Sequence, residues 1–98
     1  MKEEWVVIPN YEDYMVSTKG RIKSLKRSKE KILTPIRSGK VNKTDKIKLY
    51  KDGDYDTVNI ATIMGNAFLG RKKGQIIRHK DKDIFNNNLD NLYLIDIS

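Results

Sequence analysis

Residues 5–25 read WVVIPNYEDYMVSTKGRIKSL, and this stretch determines the fold class. A β-prone run over residues 5–8 stops at a Pro-Asn turn pair, and a second run covers 14–17. Apolar and polar residues then alternate over 21–25 with the period of a half-buried strand. The stretch therefore predicts three short antiparallel strands joined by tight turns.

Further along the chain, the pattern adds two strands, one helix and a terminal pair of strands. Alternation returns over 46–50, and an Asp-Gly turn leads into a β-prone run over 54–57. Over 58–68 the apolar residues follow the i, i+3, i+4 spacing of one buried helix face. The runs 75–79 and 92–95 are predicted to pair. The fold class is therefore α+β, with a small antiparallel β-sheet module, one helix and a C-terminal β-pair.

Three local expectations accompany this fold. Thr57 is expected to cap the helix, because a hydroxyl can accept a hydrogen bond from the first turn. Residues 37–45 contain few apolar groups and are expected to form a loop. The core is predicted to contain Trp5, Ile8, Val16, Ile22, Ile60, Ile63, Ala67, Phe68, Leu92 and Leu94.

The charge of the chain is concentrated in its middle third. The 98 residues carry a formal net charge of +7, and residues 19–51 alone carry thirteen basic side chains against two acidic ones. A positive field of this density attracts a polyanion, since each neutralised phosphate releases a condensed counterion. A lysine-rich surface that serves only solubility is the alternative that charge alone leaves open.

Composition excludes several classes of protein. The chain has no Cys, so disulfides, thiolate nucleophiles and zinc–thiolate sites are excluded. It has no apolar run of the roughly 18 residues that a membrane helix needs, and no apolar leader follows its first residues. We therefore expect one compact domain over residues 1–98, no membrane partner, and a location in the cytoplasm.

Two motifs together cover most of the chain. The first reads Trp5-x-x-Ile8-x-Asn10-Tyr11-Glu12-x-Tyr14-x-Val16-Ser17-x-x-Gly20-Arg21-Ile22-x-Ser24. The second comprises Val58-Asn59, Ala67-Phe68, Ile77-Arg78-His79-Lys80-Asp81, Asn87-Asn88 and Asn91-Leu92. In order and spacing they resemble phage and intron-encoded HNH homing endonucleases. The resemblance divides the domain into a nuclease-associated DNA-binding module (1–56) and a degenerate HNH-like module (57–98).

The resemblance implies a ββα-metal site in which His79 is the general base and Asn91 orients its imidazole. The family has an oxygen ligand, usually Asp, immediately before this His, but Arg78 stands there, and a guanidinium cannot bind Mg²⁺. The chain also ends at Ser98, so the motif is expected to lack its last helix. We therefore expect a vestigial site with no metal ligand and no cofactor, and Mg²⁺ or Mn²⁺ only if the chain is a nuclease. The acidic residues that stay open as substitute ligands are Asp81, Asp83 and Asp96.

These observations predict a DNA-binding protein of phage or mobile-element origin, derived from an HNH homing endonuclease and acting on double-stranded DNA in a bacterial host cell. The predicted contacts are Arg21, Lys23, Lys26, Arg27, Lys46, Lys48, Arg78 and Lys80. The strand residues among them are expected to form one positive surface if their strands share a sheet. Two alternatives stay open. One is an active metal-dependent nicking endonuclease using His79, and the other is a phage protein that inhibits a host nuclease or replication protein, although no host partner is indicated.

Overall fold

The chain begins with a four-stranded antiparallel sheet. The computed structural model describes residues 2–26, 29–38 and 44–97. The strands of this first sheet are β1 (Trp5–Ile8), β2 (Tyr11–Ser17), β3 (Ile22–Ser24) and β4 (Lys31–Ile32), in that spatial order. A positive φ at Asn10 and at Gly20 closes the two tight turns between β1, β2 and β3. The two turns thus lie between the runs that the sequence predicts to be strands.

A second antiparallel sheet, one helix and a two-stranded ribbon follow. The second sheet contains β5 (Ile36–Ser38), β6 (Thr44–Lys51) and β7 (Asp54–Asn59), in that order. Helix α1 spans Ile60–Phe68. The ribbon pairs β8 (Gln75–His79) with β9 (Leu92–Asp96), and a single 3-10 turn, Leu89–Asn91, precedes β9. The predicted α+β fold class is confirmed.

One hydrophobic cluster unites these elements. Helix α1 lies against β1, β2, β6, β7, β8 and β9, so both halves of the chain contribute to the cluster. Its fully buried members are Ile8, Tyr14, Val16, Ile22, Ile47, Leu49, Ile60, Ile63, Met64 and Leu92. The Tyr14 hydroxyl also accepts a hydrogen bond of 3.0 Å from the backbone N–H of Tyr50, which links the two sheets directly. The site described below is therefore held by a shared core.

The structure corrects two local expectations. Thr57 does not cap the helix, because β7 continues to pair with β6 as far as Asn59, whose side chain accepts a hydrogen bond from the Ala61 N–H at 2.9 Å. Residues 37–45 are not simply a loop: β5 pairs with the start of β6 through Arg37 and Asp45. Strand pairing needs only backbone partners, so a scarcity of apolar residues does not prevent it.

Burial differs from the predicted core in detail. Four of the predicted residues are half-buried, namely Trp5, Ala67, Phe68 and Leu94, and Ala67 and Phe68 pack against the cluster from its edge. Five buried apolar residues were not predicted, namely Tyr14, Ile47, Leu49, Ala61 and Met64. Strand β6 contacts both α1 and β2, so its apolar residues Ile47 and Leu49 share the core with the helix.

The basic strands that were predicted to share a sheet lie in two different sheets. Lys23 lies on β3 in the first sheet, whereas Lys46 and Lys48 lie on β6 in the second. The condition on which that prediction depended, a shared sheet, is therefore not met.

No helix among the described residues is long and apolar enough to cross a membrane.

Candidate nucleic-acid interface

A groove of about 600 Å³ lies beside the first turn of α1 and the β8–β9 ribbon. Its walls include the helix start (Asn59, Thr62), strand β8 and the exposed Tyr93 on β9. Its cationic lining residues are Arg71, Arg78, Lys80 and Lys82. No acidic residue is among the lining residues in the described part of the chain. A concave surface with four positive charges and no negative one raises the local concentration of phosphate groups.

His79 ends β8 and lines this groove with a half-buried imidazole. Its Nε2 atom lies 2.8 Å from Oδ1 of Asn87, and because an amide oxygen only accepts, this hydrogen bond requires the ring proton on Nε2. In a neutral imidazole with its proton on Nε2, the other nitrogen, Nδ1, holds a free lone pair. The contact therefore fixes which ring nitrogen is available to accept a proton.

Asn91 organises the loop between β8 and β9. Its Nδ2 group donates to Oδ1 of Asp81 at 3.0 Å and to the Asn86 carbonyl at 2.9 Å. Its Oδ1 accepts from the Asp81 N–H at 3.2 Å. The hydrogen bond to the imidazole, which the sequence assigned to Asn91, belongs to Asn87 in the structure. Asn91 instead holds the loop that presents Asn87.

The acidic side chain of the loop after His79, Asp81, is engaged in hydrogen bonds within that loop. The Asp81 carboxylate accepts hydrogen bonds from Asn86 Nδ2, from the Asp83 N–H and from Asn91, and these bonds lower its pKa below 3.8. Arg78, the residue before His79, carries a guanidinium, which has no lone pair to offer a metal ion. Within residues 2–26, 29–38 and 44–97, no three His, Cys, Asp or Glu side chains are grouped so as to hold a metal ion.

Three of the predicted DNA contacts are engaged within the first sheet. Arg21 pairs with Glu3 through both carboxylate oxygens. Lys23 pairs with Glu30 at 2.7 Å, and its ammonium lies 4.4 Å from the centre of the Trp5 ring. Their charges are thus locally balanced, which weakens their attraction for phosphate. Lys26 lies near Asp13 at 3.8 Å, and Arg27 lies outside the described residues.

Lys46 and Lys48 lie on a face of the second sheet that also carries two exposed tyrosines. Residues directly opposite each other in an antiparallel sheet share a face, and the register pairs Lys46 with Asn59, Lys48 with Thr57 and Tyr50 with Tyr55. The two Tyr rings are 5.3 Å apart, both residues are 47% exposed, and the Lys48 ammonium lies 4.9 Å from the centre of the Tyr55 ring. We call these six residues the tyrosine–lysine face. Asn59, at one end of this face, also lines the groove, so the two surfaces meet at this residue.

The pairing of Glu3 with Arg21 predicts an unusual titration. The guanidinium, with a smaller contribution from the Ser17 hydroxyl, lowers the pKa of Glu3 from 4.5 to about 2. The pairing is therefore complete above pH 4.5 and is lost as the pH falls towards 2. We expect carboxyl NMR shifts of Glu3 to titrate near pH 2, and near the ordinary value in Arg21→Gln. An ordinary titration in the unsubstituted protein would show that Arg21 is free to contact DNA.

Comparison with known proteins gives two matches. Residues 3–61, more than half of the chain, match the model of the NUMOD4 motif. A solved structure described as "DNA binding and cleavage by the HNH homing endonuclease I-HmuI" is similar with a TM-score of 0.79 and 28% sequence identity. The similarity covers 95% of this chain and 52% of that chain, so this chain spans about half the length of that protein. No curated protein matches.

Proposed function

Since the chain belongs to the family defined by the NUMOD4 motif, which is found in HNH homing endonucleases, we propose that it binds double-stranded DNA and does not cut it. The observation that carries the proposal is the groove, whose lining has four cations and no carboxylate. A groove built for metal-assisted hydrolysis needs oxygen ligands, whereas a groove built to hold a phosphodiester needs cations.

Arg78 is the central residue of this proposal. Its guanidinium can bind a phosphate through two parallel hydrogen bonds, which a lysine cannot do. Within the described residues it has no ion pair, unlike Arg21 on the first sheet. Arg78 thus supplies the fixed positive charge that a metal supplies in a metal-dependent nuclease, and it binds the phosphate without activating a water.

The tyrosine–lysine face extends the same interface. Lys46 and Lys48 are two residues apart on β6, so their side chains are about 7 Å apart along the strand. The exposed rings of Tyr50 and Tyr55 offer flat apolar surface beside these charges. Together, groove and face carry six cations and share Asn59, an arrangement that suits the backbone of a duplex. In origin the chain would be a phage or mobile-element protein with a degraded nuclease site, acting on DNA in its bacterial host.

The test of the proposal measures binding and cleavage separately. Fluorescence anisotropy with a labelled duplex between about 50 and 200 mM salt should give a plot of log K against log salt with a slope between about −3.5 and −5.5, since four to six phosphates are neutralised. Supercoiled plasmid incubated with Mg²⁺ or Mn²⁺ should remain intact. Absence of binding at low salt, or binding that salt does not weaken, would contradict the proposal.

A nicking endonuclease is the second candidate, and one observation favours it. The Asn87 contact leaves Nδ1 of His79 with the lone pair that a general base requires. The plasmid experiment distinguishes the two candidates when it includes a chelator and the variant His79→Ala. Nicking that is lost with either change would establish the enzyme and displace the binding-only function.

A further inference from the structure

The buried turn between β2 and β3 lies against the loop that holds the imidazole. Ser17 is fully buried, and its hydroxyl accepts hydrogen bonds from the N–H groups of Lys19 and Arg21 at 3.1 and 3.2 Å. The Gly20 N–H donates to the Ser17 carbonyl at 2.9 Å. The backbone N–H groups of Lys19, Gly20 and Arg21 thus all donate to Ser17, and these three hydrogen bonds fix the shape of the turn.

Gly20 and Asn87 are in direct contact. Gly20 has a φ of +80°, and a Cβ placed on it would lie 2.8 Å from the Asn87 carbonyl oxygen and 2.9 Å from the Asn87 Cβ. Side chains do not tolerate such distances from backbone, so only glycine fits here. Asn87 itself is only 6% exposed. The missing side chain of Gly20 is what allows the loop to approach.

A second contact fastens the same loop two residues further on. The Leu89 N–H donates to the Thr18 carbonyl at 2.8 Å. Thr18 is held in turn by Glu4, whose N–H donates to the Thr18 hydroxyl at 3.1 Å and whose carbonyl accepts from the Thr18 N–H at 2.9 Å. The loop is therefore attached at Asn87 and at Leu89 to residues that the NUMOD4 motif covers.

From this chain of contacts we infer that Gly20 is a positioning residue for His79: the turn of residues 17–20 seats Asn87, and Asn87 fixes the tautomer and orientation of the imidazole. Asn87 is the one side chain that hydrogen-bonds to the ring within the described residues. The orientation of the His79 ring therefore depends on how firmly Asn87 is held in place. The NUMOD4 segment thus acts on the HNH-like site, and this role goes beyond DNA binding.

The inference is tested on the imidazole itself, since the chain contains a single His. Long-range proton–nitrogen NMR of the neutral ring reports the tautomer, and Asn87→Ala gives the spectrum of the unheld ring. Gly20→Ala is expected to move the tautomer ratio to that of Asn87→Ala and to remove the protected Nε2–H signal. The control is Gly53→Ala, because Gly53 has the same φ of +80° but nothing within 4 Å of an added Cβ. It should leave the imidazole spectrum unchanged.

A double-substitution cycle completes the test. In the Asn87→Ala background, Gly20→Ala should have no further effect on the ring. The inference fails if Gly20→Ala leaves the imidazole as in the unsubstituted protein, if Gly53→Ala changes it equally, or if the effect persists without Asn87. If Gly20→Ala does not fold, Leu89→Pro decides the matter. It removes the N–H donated to Thr18, at the first position of a 3-10 turn where proline is tolerated, together with a side chain that packs against the core. Leu89→Ala, which keeps the N–H, is therefore its control, and only the proline variant should release the ring.

Discussion

Replacing Arg78, Lys80 and Lys82 together by Glu is expected to weaken binding to duplex DNA by at least about a hundredfold at ~0.15 M salt. Each lost phosphate contact removes about 0.9 from the slope of log K against log salt, so the slope should fall by about 2.7. All three side chains are exposed and line the groove, and no ion pair competes for them within the described residues. Anisotropy with the same labelled duplex measures both quantities.

The control must match the change in net charge. The variant Lys2→Glu, Lys29→Glu, Lys31→Glu makes the same change with exposed residues that do not line the groove. We expect it to lower affinity by less than about tenfold, because distant charges are screened beyond a Debye length of about 8 Å. Equal losses from the two triple variants would show that only the total charge matters. The groove would then have no special role in binding.

The strands and the helix could be predicted because their signals are local. The alternation over residues 46–50 and the helical spacing over 58–68 depend only on neighbours along the chain. The helix cap was missed because Asn59 is both the last residue paired in β7 and the cap of α1, which is a matter of how far pairing extends. Local patterns thus locate elements well and their junctions less well.

The site was predictable only in part. His79 was identified from its motif, and the structure places it in the cationic groove with Arg78 and Lys80. The partner of the imidazole could not be derived, because Asn86, Asn87 and Asn88 are alike in sequence and only the loop conformation selects Asn87.

The ion pairs of Arg21 and Lys23 could not be predicted from the sequence either. Arg21 and Lys23 carry the same charge as Lys46 and Lys48, but Glu3 and Glu30 are brought to the first two by strand pairing and by the β3–β4 connection. A count of basic residues therefore overestimates the charge that the first sheet offers to DNA.

Asn91→Ala is expected to lower the free energy of unfolding by about 3 kcal/mol, since the side chain is buried and makes three hydrogen bonds worth about 1 kcal/mol each. In a domain of this size that corresponds to a fall in Tm of roughly 12–24 °C. Chemical denaturation followed by the fluorescence of Trp5, the one Trp of the chain, measures it.

Asn88→Ala is the matched control, because Asn88 is exposed, provides no side-chain cap to the 3-10 turn, and has one side-chain hydrogen bond, to Asn86. It should cost about 0.5 kcal/mol or less. If Asn91→Ala costs no more than Asn88→Ala, the loop is held by its attachment to the β2–β3 turn alone. If Asn91→Ala lowers the free energy of unfolding by the expected amount while the chain stays folded, Lys80 and Lys82 lose their fixed placement. DNA affinity should then fall although no charge has been removed. That combination would show that Asn91 serves the interface through the shape of the loop and not through contact with the imidazole.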